Sequence, residues 1–173
     1  TETNGQNIRD GRGFAIGVSV AVRIPGVGVV SDYFPFRHGD SGDLERPLLL
    51  KLKEPLESFK GVVYFHNAAF DLPSLRTLGI DYQGRFKDTM LMAHLINENF
   101  PFSKSLDACT KYYLKDEGKK KSAEFEGWTK HIGWEKVMPS SLMHEYAAYD
   151  ADLTLRLGEY LEPLFVKEVP EDY

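Results

Sequence analysis

The sequence is poor in cysteine, and this limits its redox chemistry. Cys109 is the single cysteine among 173 residues, so an intrachain disulfide is excluded. Disulfide-stabilised domains carry paired cysteines and belong to oxidising compartments, whereas a lone thiol is typical of a reducing one. We predict that Cys109 is a small buried apolar residue of a helix.

Long apolar runs and an excess of positive charge are also absent. No stretch of 18 apolar residues could span a bilayer, and the first residues lack a signal-peptide pattern, so we expect an intracellular protein without membrane contact. The formal net charge of −5 argues against broad electrostatic adhesion to nucleic acid. A nucleic-acid enzyme stays open, because divalent cations held by carboxylates reverse the local charge and attract phosphate.

The composition that is present is ordinary for a globular domain. Hydrophobic residues make up 42% and charged residues 27% of the chain, and no repeat or linker divides it. A chain of this length buries roughly 70% of the surface that its unfolded form exposes. We therefore predict a single domain over residues 1–173.

The residue patterns place strands early and helices late. Alternating β-branched residues predict a hairpin at 13–34 with its turn at Pro25 and Gly26, and the apolar run at 61–65 predicts a buried central strand. Helical spacing and capping predict helices at 44–59, divided by Pro47 and Pro55; at 69–78, ended by Gly79; at 89–97, capped by Asp88; at 105–114; and from 141 to about 161. Residues 37–43 and 115–128 are predicted loops. The class is therefore α/β with a mixed sheet.

Two aspartates lie on the apolar faces of predicted helices. Tyr146, Asp150, Leu153 and Leu157 follow the spacing i, i+4, i+7 and i+11, so they share one stripe of the last helix. Asp71 shares a face with Leu75 and Leu78 in the same way. A buried ionised carboxylate costs several kcal/mol unless a cation or strong hydrogen bonds accompany it.

Glu2 joins these aspartates if its strand pairs with the predicted hairpin. Acids that converge at the ends of strands most often bind Mg²⁺ or Mn²⁺ through oxygen. Each acid taken alone is also compatible with a helix cap or a solvated face, and the three together favour a metal site.

Several motifs resemble those of one enzyme family. HNAAFD at 66–71 resembles the second motif, Asn-x-x-x-Asp, of the proofreading 3′–5′ exonuclease domains of DNA polymerase I and other family A polymerases. YAAYDADLTLRL at 146–157 resembles the third motif, Tyr-x-x-x-Asp. DTMLMAHLIN and SLDACTKYYL resemble the two helices between them. The resemblance covers nearly the whole chain and implies a ribonuclease-H-like, three-layer α/β fold, in which helices flank a mixed central sheet.

The first motif of that family is Asp-x-Glu, and Thr1-Glu2-Thr3 resembles its tail. The resemblance implies an aspartate immediately before Thr1. Taken as it stands, the chain lacks this residue and is expected to be nearly inactive; taken as part of a longer chain, it is an exonuclease whose first strand lacks its N-terminal part. The position five residues before Asp150 is Glu145 and not histidine, so the tyrosine (DEDDy) subclass fits. His144 is out of phase with this pattern, and we predict that it faces solvent.

The resemblance also implies the mechanism. Two divalent cations, Mg²⁺ or Mn²⁺, clamp the scissile phosphate, with Glu2, Asp71 and Asp150 as catalytic metal ligands. The Tyr146 hydroxyl orients the attacking water. The expected reaction releases nucleoside 5′-monophosphates one at a time from a 3′ end.

Binding of the substrate strand is assigned to residues near the second motif. Asn67 is expected to bond the terminal sugar-phosphate, Phe70 or Leu72 to wedge against a base, and Arg76 to neutralise phosphate. For Phe70 a place in the core is the alternative. Further cations that could follow the strand are Arg85, Lys104, Lys111, Lys119, Lys120 and Lys121, and for the last three a solvated loop is the alternative.

The expected partners are single-stranded DNA or a frayed 3′ end and, where present, a polymerase domain or subunit. The resemblance implies a monomer in a bacterial or phage-infected cell. Two alternatives stay open. One is an RNA-processing 3′–5′ exoribonuclease, and the other is an inactive module of the same fold that binds a single strand or a partner protein.

Overall fold

The order of strands and helices follows the sequence pattern closely. The structure is a computed structural model that describes residues 1–5, 7, 8, 10–37, 46–99, 103–116 and 141–169. Its elements are β1 (Glu2–Thr3), β2 (Ala15–Ile24), β3 (Gly28–Pro35), α1 (Arg46–Ser58), β4 (Val62–Phe65), α2 (Ala68–Thr77), β5 (Arg85–Asp88), α3 (Thr89–Ile96), α4 (Leu106–Tyr113) and α5 (Ser141–Glu168). Most of the two predicted loops, including Lys119, Lys120 and Lys121, lies outside the described residues.

Strands β1, β2 and β3 form an antiparallel sheet with β2 in the middle. The predicted hairpin is confirmed, with Val22 opposite Val30 and the turn at residues 25–27, where Gly26 has φ 79°. A positive φ is unstrained for glycine, which suits it to this turn. On the other side of β2, Glu2 pairs with Gly17, so the short strand β1 brings its acid to the sheet.

Helices cover both faces of this sheet. On one face α5 packs against β2 and β3, and the buried residues of that contact are Ile16, Tyr33, Met143 and Ala147. On the other face the buried residues come from the sheet, α1 and α2, and include Val18, Leu49, Leu52, Leu75 and Leu78. Helix, sheet and helix thus make the three layers of the expected α/β fold.

The second pair of strands differs from the prediction in three ways: its separate ladder, the partial burial of β4 and the presence of β5. Strands β4 and β5 are parallel, with Val62 opposite Arg85, and the described strands form two separate ladders instead of one mixed sheet. Only two residues of β1 are strand, and both pair with β2. The four residues of β4 are half-buried rather than buried, because their described strand neighbour is the short β5 alone. Strand β5 was not predicted, since Arg-Phe-Lys-Asp has too few apolar residues to indicate a strand.

Two helices differ from their predictions, one in continuity and one in length. Helix α1 runs unbroken from Arg46 to Ser58, so the expected division at Pro47 and Pro55 is wrong. Pro47 lies in the first turn, where its missing N–H would have no helical partner, and the burial of Leu49 and Leu52 offsets the bond that Pro55 removes. Helix α5 continues past the predicted end to Glu168.

Helices α3 and α4 pack against the second half of α5. Their shared core contains Met92, Cys109, Leu157 and Leu161, which confirms that Cys109 is a buried apolar residue. Within the part of the chain that is described, no helix has the length and apolar character that crossing a membrane requires.

Candidate active site

Of the three predicted metal ligands, Asp71 contacts the amino group of Thr1, and Glu2 and Asp150 act on that group through their charges. The Thr1 ammonium lies 3.0 Å from Asp71 Oδ1, and the Thr1 hydroxyl donates to the same oxygen at 2.7 Å. Burial lowers the pKa of this ammonium, but the charges of Asp71, Glu2 and Asp150 outweigh it and raise the pKa overall. Acids from β1, α2 and α5 therefore act on one buried cation.

The donor chemistry of this site fits a hard divalent cation. Carboxylate oxygens are the ligands that Mg²⁺ and Mn²⁺ prefer, and a positive group already stands among the three acids. Within the described ranges, no three His, Cys, Asp or Glu side chains come close enough together to hold a metal ion as they stand. Of the three acids, Asp71 contacts the ammonium directly, at 3.0 Å.

Tyr146 lies one turn before Asp150 on the same side of α5. Its side chain is half-buried and packs against the cluster that contains Ile16 and Tyr33. The expected stripe is present, because Leu153 and Leu157, which follow Asp150 along α5, are buried. The tyrosine hydroxyl and the Asp150 carboxylate therefore belong to one surface of the helix.

The turn that carries Asn67 is held by Asp88. Asn67 has a left-handed backbone, with φ 77° and ψ 59°, and precedes α2 without capping it through its own side chain. Asp88 supplies that cap from β5: its Oδ1 accepts from Asn67 N at 3.0 Å and its Oδ2 from Ala68 N at 2.7 Å. Its Oδ1 also accepts from Met90 N at 3.0 Å, the predicted cap of α3. One buried carboxylate thus fixes the start of two helices.

His66 links this turn to the segment before α4. Its Nε2 lies 2.9 Å from the Lys104 carbonyl oxygen and its Nδ1 lies 2.8 Å from the Thr89 hydroxyl. Since a carbonyl can only accept, Nε2 carries a proton. Burial lowers the pKa of His66, although the Lys104 carbonyl and the charges of Asp88 and Asp71 act in the opposite direction.

A cavity of about 320 Å³ lies between the residues after β1 and the start of α2, and none of the three predicted metal ligands lines it. Its lining residues are Asn7, Ile8, Asp10, Asn67, Ala69, Phe70 and Pro73. Two of the four residues assigned to substrate binding, Asn67 and Phe70, thus line it. Leu72 is half-buried and does not, and Arg76 is exposed and bonds Asp81 with Nε 3.0 Å from Oδ1.

The other proposed basic residues that the structure describes, Arg85, Lys104 and Lys111, bond to separate parts of the chain. Arg85 donates to the Lys60 carbonyl at 3.0 Å, and Lys111 pairs with Asp107 at 2.8 Å. The Lys104 ammonium lies 3.5 Å from the Asn97 carbonyl. Lys104 is the nearest of these to the second motif, through the bond of its carbonyl to His66.

Two arrangements near the third motif were not anticipated. Tyr149 donates to Asp116 at 2.6 Å, and Arg156 bonds the other oxygen of Asp116 at 3.0 Å, so the end of α4 is tied to α5 beside Asp150. Long-range bonds of this kind leave no periodic signal in a sequence. His144 is not fully solvent-facing, because its ring meets the edge of Tyr33 at 5.4 Å between centroids.

Known proteins resemble this chain in sequence. The family model described as 3′–5′ exonuclease, of the DNA polymerase A type, matches residues 1–165. DNA polymerase DpoZ of Vibrio phage phiVC8 is 32% identical over 160 residues, which are 79% of this chain and 24% of that protein. DNA polymerase DpoZ of Salmonella phage PMBT28 is 34% identical over 108 residues, 56% of this chain and 17% of that protein. The chain spans at most about a quarter of these relatives.

Solved structures share the fold at lower identity. A structure described as the apo form of the nuclease has a TM-score of 0.71 and 20% identity, covering 99% of this chain and 73% of its own. Brucella melitensis NrnC has a TM-score of 0.70 and 22% identity, covering 99% and 74%. The sequence motifs and the order of the layers agree with the family match. The chain therefore belongs to the 3′–5′ exonuclease domains of the DNA polymerase A type.

Proposed function

We propose that this domain hydrolyses DNA from its 3′ end and releases nucleoside 5′-monophosphates by a two-metal mechanism. The observation that carries this proposal is that Asp71 contacts the buried Thr1 ammonium at 3.0 Å, while the charges of Glu2 and Asp150 act on the same group. Three acids drawn from distant parts of the chain leave a net negative charge there that bound cations neutralise. The reaction needs no Ser, Cys or His nucleophile, because it depends on positioning and electrostatics.

The chain's own residues each have a defined task in this proposal. When bound, two divalent cations supply Lewis-acid activation and neutralise charge on the scissile phosphate. Glu2, Asp71 and Asp150 hold them. The Tyr146 hydroxyl, on the same side of α5 as Asp150, hydrogen-bonds the attacking water and fixes its direction.

The cavity is the proposed place of the terminal nucleotide. Asn67 offers an amide that can both donate to and accept from the sugar-phosphate, and the Phe70 ring offers an apolar face to the base. The volume lies at the lower end of the range for small-molecule sites, which suits one nucleotide and not a duplex. Arg76 and Lys104 remain candidates for contact with phosphates further along the strand.

The relatives favour DNA as the substrate, because both are named DNA polymerases and the chain matches a part of each. We therefore propose single-stranded DNA or a frayed 3′ end as the ligand, proofreading as the role, and a polymerase domain or subunit as the partner of a monomeric exonuclease domain.

RNA is the second candidate substrate. A structure titled Brucella melitensis NrnC bound to pGG has the same fold, with a TM-score of 0.64 and 24% identity, covering 96% of this chain and 71% of its own. The fold therefore accommodates a very short strand. Among the residues that line the cavity, none forms an arrangement that would select one sugar over the other.

The test uses the 173-residue chain and two versions of it, with either aspartate or asparagine added before Thr1. Each addition turns the Thr1 ammonium into an amide, and aspartate alone adds the carboxylate that the first motif lacks. The substrates are 5′-labelled single-stranded DNA and RNA of one sequence, with Mg²⁺ or Mn²⁺.

We expect the aspartate version to shorten DNA one nucleotide at a time, and the other two to be slower by at least about 100-fold. Faster cleavage of RNA would replace DNA by RNA in this proposal. Strand binding without hydrolysis by any version would overturn it in favour of an inactive module.

A further inference from the structure

Tyr33 is a buried tyrosine whose hydroxyl lies against the backbone of a neighbouring strand. It lies on β3, its exposed fraction is 2%, and it belongs to the cluster against which Tyr146 packs. Its hydroxyl lies over Gly17 of β2, so closely that a Cβ added at Gly17 would overlap the phenol oxygen. The tyrosine hydroxyl therefore takes the space that a side chain at position 17 would fill.

That space adjoins Glu2. Gly17 is the register partner of Glu2 across the β1–β2 ladder, and opposite residues of an antiparallel pair point to the same face, with their Cβ atoms about 5 Å apart. The Tyr33 hydroxyl thus lies on the Glu2 side of the sheet. Burial first and the Glu2 charge second raise the pKa of Tyr33, which keeps the phenol protonated and able to donate.

The same side chain is held firmly from the other directions. The His144 ring meets it edge-on, with the two planes at 85°, and Met143 and Ala147 of α5 pack in the same cluster. A donor fixed by such packing loses little freedom when it bonds a carboxylate, so it can hold one oxygen of an acid in place.

We propose that Tyr33 is a positioning residue. Its hydroxyl orients the Glu2 carboxylate for the metal ion, and its ring supports Tyr146. Gly17, which has no side chain, leaves space for the hydroxyl and ring of Tyr33. This inference rests on the proposed metal-dependent function. In this role Tyr33 acts through Glu2 and Tyr146 and not on the substrate itself.

A second tyrosine provides a matched control. Tyr64 of β4 also lies over a glycine, Gly158, where an added Cβ would overlap its ring. Its hydroxyl likewise donates to a carboxylate, that of Glu162, which is also paired with Lys87. Tyr64→Phe therefore also removes a bond from a tyrosine hydroxyl to a carboxylate, but at Glu162, three turns of α5 beyond Asp150.

The experiment compares Tyr33→Phe and Tyr64→Phe in the chain that carries aspartate before Thr1. Mn²⁺ binding is measured by isothermal titration calorimetry, and DNA hydrolysis is measured as kcat and KM. For Tyr33→Phe we expect about tenfold weaker Mn²⁺ binding and a lower kcat, with KM for DNA and the thermal midpoint close to those of the parent. For Tyr64→Phe we expect parental Mn²⁺ affinity and kcat.

The outcomes separate this inference from the function on which it rests. If the parent binds Mn²⁺ and Tyr33→Phe binds it equally well, Tyr33 is only a core residue and the inference is wrong. Equal weakening by both substitutions would also overturn it, since the effect would then be general. A parent that binds no Mn²⁺ would overturn the proposed function and the inference together.

Discussion

Two carboxylates near the start of α2, the buried Asp88 and the half-buried Asp71, are satisfied in different ways. Asp88, with 7% of its surface exposed, accepts from three backbone N–H groups, those of Asn67, Ala68 and Met90. Asp71, whose side chain is 13% exposed, accepts from the ammonium and the hydroxyl of Thr1. The first acid is satisfied by the fold itself, whereas the donors of the second are both groups of one terminal residue.

This difference separates a structural acid from the one that we propose as a functional metal ligand. Backbone donors at a helix start are fixed in place, so Asp88 stabilises the folded chain without any added ion. Asp71 shares its surroundings with Glu2 and Asp150, and like charges in one place raise the free energy of the folded state unless a cation lies among them. Burial alone does not distinguish the two acids, but their donors do.

Removal of the functional acid is expected to give the largest effect. In the chain with aspartate before Thr1, Asp71→Asn should lower kcat about 1,000-fold, or about 4 kcal/mol in activation free energy, because a ligand charge is lost where charge develops. Its free energy of unfolding should change little. Single-turnover hydrolysis and urea unfolding measure the two quantities.

Asp81→Asn is the matched control, since Asp81 is an exposed acid that pairs with Arg76. Its kcat should equal that of the parent. An Asp71→Asn variant that retains more than a tenth of the activity would show that Asp71 is not a metal ligand.

Removal of the structural acid should give the reverse pattern. Asp88→Ala leaves three backbone N–H groups without their acceptor, which should lower the free energy of unfolding by about 3 kcal/mol. Asp88→Asn should lose less, because the amide oxygen still accepts. Urea unfolding checks this, with Asp107→Ala as the control: Asp107 is an exposed acid in the first turn of α4. An Asp88→Ala loss no larger than the control's would remove the distinction between the two acids.

The smallest expected effect is a pH dependence at His66, next to the structural acid. Because burial holds its pKa below the usual 6.5, the unfolded chain binds a proton more readily than the folded one. The free energy of unfolding should therefore be highest above about pH 6.5. It should fall as the pH drops toward the folded pKa, by at most about 1.4 kcal/mol per pH unit.

The measurement is urea unfolding of the chain and of His66→Gln between pH 7.5 and 5.5. The substitution should remove that part of the slope, whereas His94→Gln, at an exposed position of α3, should leave it unchanged. Equal slopes in all three proteins would contradict the role of His66.

Local signals predicted most of the elements. The alternation in β2 and β3, the cap at Asp88 and the glycine after α2 each act within a few residues of chain. Strand β5 escaped prediction because its partner β4, and not its own composition, makes it a strand. The predicted break at Pro55 was wrong because burial of the neighbouring leucines stabilises the helix through this residue.

The candidate site likewise contains features that local patterns predicted and features that they did not. The stripe of Tyr146 and Asp150 and the motif that contains Asp71 could be read from spacing and resemblance. The second task of Asp88, capping α2 from another strand, could not be predicted from spacing, because its acceptor and donors are about twenty residues apart. The same holds for the hydroxyl of Tyr33 over Gly17, a contact that only the register of the sheet creates.

Asn67 illustrates how narrow the choice of residue becomes where two demands meet. Its left-handed backbone favours glycine, asparagine or aspartate, and its place in the cavity wall favours an amide. Glycine would keep the turn and lose the amide, glutamine would keep an amide and strain the turn, and aspartate would add a negative charge facing phosphate. Of these residues, asparagine alone suits both the left-handed backbone and the proposed contact with the sugar-phosphate.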